Sequence, residues 1–242
     1  MNTSYKRVGH RGLPNKYPEN SLIGILAALD VGAQAVEFDV QLTKDGVPVV
    51  CHDVTLERTS TNNMNITAIN FSELHALSCH EPTRLGDAYA PCPISSLADV
   101  CNMLSAKMRD LDYAVDIFVE VKSESLTVFG NRFALDKVLS ATNCIAKERI
   151  IISFDYGFVE QAKYEGVRIG WVLSTYDCQE KTDANTLNPD FLICDYKKMP
   201  TNPSLWQGDW QWFVYDIVDP ILAQTWFERG VAYIESWDVE AI

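Results

Sequence analysis

Val36-Glu37-Phe38-Asp39-Val40-Gln41-Leu42-Thr43-Lys44-Asp45-Gly46-Val47-Pro48-Val49-Val50-Cys51-His52-Asp53 contains two β-like runs separated by an Asp-Gly turn. Strand alternation puts Glu37 and Asp39 on one face and Val36, Phe38 and Val40 on the other. The apolar face is suited to packing on helices, and the two carboxylates then point to the opposite side, where unpaired charge is costly. Asp-Gly between such runs predicts a hairpin. A hairpin cannot supply a parallel strand, so residues 47–53 read as an antiparallel return that carries His52 back toward the C-terminal end of the first run.

On either side of this stretch, short β-rich runs alternate with amphipathic ones. Strands are predicted over residues 7–11, 35–40, 117–122, 150–154, 169–173, 191–195, 211–215 and 232–235. Helical patterns cover 21–31, 132–141, 157–165 and 220–229, and Gly32, Gly166 and Gly230 follow three of them as left-handed C-caps. This alternation implies parallel strands joined by helical crossovers. Eight strands in 242 residues fit a (β/α)8 TIM barrel, which commonly takes about 250 residues. The rival is an open doubly wound sheet, but no glycine-rich phosphate loop follows the first strand. The segment from Val54 to about Ala90 is polar and without steady periodicity. It reads as a small subdomain, 54–92, inserted after the second strand of a single domain, 1–242. Ser95 or Ser96 then caps the return to helix. Residues 177–188 read as a loop with a short helix.

Hydrophobic residues make up 47% and charged residues 22%, an ordinary globular balance, while the net charge of −13 argues against nucleic acid and anionic membranes as partners. The seven cysteines include no Cys-x-x-Cys pair and read as reduced thiols. With no signal-peptide pattern and no run near the roughly 20 apolar residues of a membrane span, a soluble cytoplasmic protein is expected, without stable membrane insertion.

Val119-Glu120-Val121-Lys122 repeats the alternation, placing Glu120 and Lys122 on one face. Inward Glu37, Asp39 and Glu120 would repel one another unless a cation intervenes. Two readings stand: a hard divalent ion, Mg²⁺ or Ca²⁺, on oxygen ligands, or a metal-free salt-bridged network with Arg11 and Lys122. Gly9-His10-Arg11-Gly12 ends the first strand, where glycines allow close approach and Arg11 could hold a phosphate. His10 and His52 are candidates for acid–base work near neutral pH. His75 and His80 fall in the inserted segment and read as surface residues. Glu19 reads as a support for these groups or as a capping group ahead of Ser21. Trp171, Trp212 and Phe154 are either pocket walls, able to face a choline-type cation, or plain core.

These residues resemble one family, the glycerophosphodiester phosphodiesterases. His10-Arg11-Gly12 with Pro18-Glu19-Asn20-Ser21 is similar to its opening motif. Glu37 through Val50, closing on His52-Asp53, resembles the second, and Val119-Glu120-Val121-Lys122 the third; Leu56-Glu57-Arg58-Thr59 and Pro93-Ile94-Ser95-Ser96-Leu97 continue the match. The resemblance implies a β/α barrel and a divalent metal on Glu37, Asp39 and Glu120. It also implies an acid/base pair of His10 and His52, and phosphate contacts from Arg11 and Lys122. The implied reaction turns small-molecule glycerophosphodiesters into sn-glycerol 3-phosphate and an alcohol. Alternatives are a related enzyme acting on lysophospholipid or other phosphodiesters, and a non-catalytic phosphodiester-binding barrel. The second half departs from the family pattern. Phe213-Val214-Tyr215-Asp216 stands where many members have Trp-Thr-Val-Asn, and Ile234-Glu235-Ser236-Trp237 replaces the usual final-strand Thr-Asp. The alcohol half of the substrate is left open by these changes.

Overall fold

The computed structural model describes residues 5–201 and 204–242. Eight parallel strands close on themselves: β1 (Lys6–His10), β2 (Ala35–Leu42), β4 (Asp116–Val121), β5 (Arg149–Ser153), β6 (Ile169–Val172), β7 (Phe191–Asp195), β8 (Gln211–Tyr215) and β9 (Val231–Ser236). Each pairs with its neighbours in that order, and β1 pairs with both β2 and β9, which makes the closure. The ring is a (β/α)8 barrel, and the open-sheet alternative is excluded. The turn at 44–46 returns as β3 (Pro48–Val50), antiparallel to β2 with Leu42 opposite Pro48.

Among the described residues, helices α1 (Leu22–Asp30), α2 (Phe71–Leu74), α3 (Pro82–Leu85), α4 (Leu97–Met108), α5 (Ser123–Phe129), α6 (Asn131–Ala141), α7 (Tyr156–Tyr164), α8 (Cys178–Leu187) and α9 (Pro220–Glu228) complete the fold, with three short 3-10 turns. Ser21 caps α1, accepting from Gly24 N at 3.1 Å, and Ser96 rather than Ser95 caps α4 through Asp99 N. Gly32, Gly166 and Gly230 have positive φ after α1, α7 and α9. Residues 177–188 differ from expectation: they form the ten-residue α8. Asp177 caps it by accepting from the amides of Gln179 and Glu180, and Asn188 ends it in the left-handed region. Only Ala184 and Leu187 of α8 are buried, so the helix carries little of the apolar periodicity by which a helix is read from sequence.

Two apolar layers follow from strand alternation. Outward residues such as Val36, Phe38, Val40, Val119 and Val121 pack with the helices. Inward residues Val8, Phe118, Ile150, Phe191, Phe213 and Tyr233 fill the barrel, where Phe118 meets Phe191 edge-on with centroids 5.0 Å apart. Below this plug, Asp116 accepts from Lys6 Nζ at 2.6 Å, Arg168 Nη1 at 3.0 Å and Tyr233 Oη at 2.7 Å. The plug fills the middle of the barrel, and the next inward position of β1, β2, β4, β8 and β9, two residues further along, brings a polar side chain to the C-terminal mouth.

Between β3 and α4, Leu56, Ile66, Ile69 and Leu74 form a separate apolar cluster with Val49, Cys51 and Ile94. No helix among the described residues is long and apolar enough to cross a membrane. All seven cysteines are free.

Candidate active site

The C-terminal mouth holds one cavity of about 180 Å³ lined by His10, Arg11, Glu37, Asp39, His52, Glu120, Lys122, Tyr215, Asp216 and Glu235, with Phe154 among its apolar walls. Every candidate site residue therefore reaches the same space. Register explains this: β1 pairs His10 with Glu37, and β4 pairs Glu120 with Asp39, so inward positions of three adjacent strands stack on two successive levels.

His52 arrives by the hairpin. Cys51 N donates to Asp39 O at 2.9 Å and Gln41 Nε2 to His52 O at 3.0 Å, which fixes the loop over the second strand. Its Nδ1 lies 2.5 Å from Asp53 Oδ1, and Arg58 of the inserted segment bonds both Asp53 and Glu19. Glu19 also accepts from Arg11 Nη1 at 3.1 Å, so it holds the two arginines and does not cap α1. The glycines around His10 serve α1: a Cβ on Gly12 would sit 2.6 Å from the Gly24 carbonyl carbon, and one on Gly9 2.8 Å from Ala28 Cβ.

The salt-bridged network anticipated from the sequence exists. Lys122 Nζ lies 2.7 Å from Glu120 Oε1 and 3.3 Å from Asp39 Oδ1, and Arg11 Nε 3.2 Å from Asp39 Oδ2. Asn20 adds reciprocal bonds, donating to Asp39 Oδ2 at 2.9 Å and accepting from Asp39 N at 3.1 Å. Burial opposes ionisation of Asp39, but Arg11 and Lys122 outweigh it and hold the carboxyl well below the usual range. Glu37 has less relief, from Arg11. Its Oε2 accepts from Arg11 N at 3.1 Å, while its Oε1 is buried without any hydrogen-bond partner. Burial, and after it Asp39 and Glu235, push Glu37 well above the ordinary carboxylate value. Burial and Asp39 also raise Glu120, against the pull of Lys122.

The network thus leaves one buried oxygen unsatisfied. Glu37, Asp39 and Glu120 can each turn one oxygen to a common point, with those atoms within 4.8 Å of one another. An all-oxygen donor set of this kind fits a hard divalent ion.

The altered second half supplies Asp216 and Glu235. Asp216 Oδ1 lies 3.3 Å from His10 Nδ1, and Glu235 Oε2 lies 3.8 Å from His10 Nε2. Burial disfavours the His10 imidazolium, but these two carboxylates outweigh it and raise the His10 pKa. Burial lifts Glu235 to about 7 despite His10. Neither acid had a role in the sequence reading, although both lie where the chain departs from the family pattern. Asn20 lay within a quoted motif, but its spacing alone said nothing of a bond to Asp39.

Three further expectations resolve here. Trp171 and Trp212 are core, donating to Phe154 O and Trp206 O respectively, whereas Phe154 is a pocket wall. His75 is exposed as expected. His80 is not a surface residue: it is 7% exposed, with Nδ1 2.7 Å from Ser78 Oγ, because the inserted segment folds over it.

The chain resembles known proteins along most of its length. A glycerophosphodiester phosphodiesterase of Caldanaerobacter subterraneus subsp. tengcongensis is 33% identical over 146 residues, 60% of this chain and 56% of that protein. Glycerophosphodiester phosphodiesterase 1 of Bos taurus is 29% identical over 147 residues, 61% of this chain and 42% of that protein. The chain thus spans about half the length of these curated relatives. Among solved structures, an Oleispira antarctica phosphodiesterase in complex with the product sn-glycerol-3-phosphate has the same fold, at a TM-score of 0.81 and 20% identity over 97% of this chain and 94% of that one. A glycerophosphodiester phosphodiesterase from Thermotoga maritima gives a TM-score of 0.71 at 24% identity, over 99% and 97% of the two chains. The sequence profile of the glycerophosphoryl diester phosphodiesterase family matches residues 10–189, well over half of the chain, and the chain belongs to that family.

Proposed function

We propose that the chain hydrolyses glycerophosphodiesters to sn-glycerol 3-phosphate and an alcohol, with Mg²⁺ or Ca²⁺ held by Glu37, Asp39 and Glu120. The observation that carries this reading is the convergence of two histidines, three carboxylates, Arg11 and Lys122 on one cavity. When bound, the ion polarises a phosphoryl oxygen and offsets the charge of its ligands. Arg11 and Lys122 present N–H donors to the phosphate, and a bidentate contact from Arg11 would orient it. His10 and His52 stand on the phosphate site as a pair of proton-transfer groups, one taking the proton of the attacking hydroxyl or water and the other protonating the leaving alkoxide. Tyr215 and Phe154 lie on the wall where the alcohol would sit. Seven free thiols suit a reducing cytoplasm as the place of work.

The test is release of glycerol 3-phosphate from glycerophosphocholine and glycerophosphoethanolamine, with Mg²⁺, with Ca²⁺ and with EDTA. Wild-type turnover should require the divalent ion, and His10→Ala or His52→Ala should each lose about 10²–10⁴-fold in kcat. Turnover that survives EDTA would remove the metal from the reading. Absence of turnover with either ion would remove the substrate class.

A further inference from the structure

The geometry points to a second divalent-cation site in the same cavity, formed by His10, Glu37 and Glu235. This site is distinct from the three-carboxylate set but shares Glu37 with it. One ligand atom from each of the three residues lies within 4.8 Å of the others. His10 Nε2 and Glu235 Oε2 are 3.8 Å apart, a span that two metal–ligand bonds of about 2.0–2.1 Å cover without moving either group.

Three further observations point to a ligand there. Glu235 is 4% exposed and faces the cavity, yet among the described residues no N–H or O–H donates to its carboxylate; its partner is His10 Nε2. Glu37 is 3% exposed and its Oε1 has no partner at all. Two buried acids left this way, beside Asp39 and Glu120, make a site that Arg11 and Lys122 alone do not neutralise. The third observation is the far side of His10. Its Nδ1 is 3.3 Å from Asp216, the carboxylate–histidine arrangement that orients a metal-binding imidazole and frees the other nitrogen for the ion.

Two carboxylates accept a hard ion such as Mn²⁺, and the added imidazole nitrogen favours Mn²⁺ or Zn²⁺ over Ca²⁺. With Nε2 on an ion and Nδ1 committed to Asp216, His10 has no nitrogen left for proton transfer. An ion in this second site therefore holds the enzyme in an inhibited state. That consequence rests on the hydrolytic reading above, whereas the site itself does not.

Mn²⁺ alone is the probe, because the free thiols compete for it far less than for Zn²⁺. Bound Mn²⁺ is counted by loss of the free-ion electron paramagnetic resonance signal, on wild-type, Glu235→Gln and His10→Asn protein whose fold is checked by circular dichroism. Two ions bound by the wild type and one by each variant is the expected result. One ion or none bound by the wild type, or two retained by both variants, overturns the inference. The count needs no turnover, so the two readings fail separately. A protein that binds two ions but releases no glycerol 3-phosphate loses only the hydrolytic reading. One that turns over while binding a single ion loses only this one.

Discussion

Asn20 illustrates how much one side chain can settle at the residue scale. Its amide donates to one oxygen of Asp39 and accepts from the Asp39 backbone, while its own backbone sits at φ 55°, a region asparagine tolerates better than most residues. Both bonds are buried, so Asn20→Ala should leave unsatisfied groups and add left-handed strain. We expect a loss of about 2–4 kcal/mol in urea unfolding, from roughly 1–3 for the bonds and about 1 for the backbone. A loss below about 0.5 kcal/mol would mean that solvent replaces the amide. Arg11 and Asp216 share the positive φ, at 54° and 68°, and both line the cavity. Strained backbone therefore gathers where the strands hand over to the site loops.

Strands and helices have a different division of labour. The C-terminal ends of β1, β2, β4 and β9 carry the chemistry, and the N-terminal ends carry an ion-pair cluster centred on Asp116 of β4. Burial opposes charge on Asp116, but Lys6, Tyr233 and Arg168 outweigh it and hold its pKa below the ordinary aspartate value. A carboxylate with a depressed folded pKa adds stability above its unfolded pKa, and that stability disappears as the pH falls through the folded value. Asp116→Asn should therefore cost about 2–3 kcal/mol at pH 7, read as about 4–12 °C in Tm for a chain of this size. The gap to wild type should shrink below about pH 4. A gap that stays constant to pH 3 would show that shape, not charge, makes the cluster matter. Because the cluster sits opposite the cavity, the substitution should leave divalent-ion binding at the mouth intact.

The whole molecule is a barrel with a second, smaller packing unit against its mouth. Arg58 reaches from that unit to Glu19 and Asp53, and Arg84 to the carbonyls of Pro14 and Tyr17, while Glu19 N donates to Glu81 Oε1 at 2.6 Å. We propose that residues 54–92 behave as an inserted subdomain. Its apolar cluster is small, and it contains two four-residue helices and no strand besides isolated bridges, so its opening free energy should be lower than the barrel's. Hydrogen exchange should show amides of 54–92 protected as a group, and less well than those of β4 and β5. In Arg58→Ala, exchange of that group should quicken while the barrel strands stay unchanged. Exchange of 54–92 in step with the barrel strands would make the protein one cooperative unit.

The amino-acid sequence alone determined the alternation of parallel strands and helices, because strand and helix periodicities are local properties, while the pairing of β1 with both β2 and β9 decided for a barrel over an open sheet. It also determined the inward pairs Glu37/Asp39 and Glu120/Lys122, since a period of two assigns faces without reference to the rest of the chain. The hairpin return was legible from Asp45-Gly46 for the same reason. The extent of helix α8, expected only as a short helix within a loop, was not, because its buried face is only Ala184 and Leu187 and its cap is a single aspartate. His80 was misplaced because the burial of a residue in aperiodic sequence depends on what folds over it. Only the tertiary structure decided that Asp216 and Glu235, some two hundred residues after His10, flank its two nitrogens. It likewise decided that Asp39 is satisfied while one oxygen of Glu37 is not. Closing the barrel brings β9 against β1, and no local pattern in either strand encodes the distance between them.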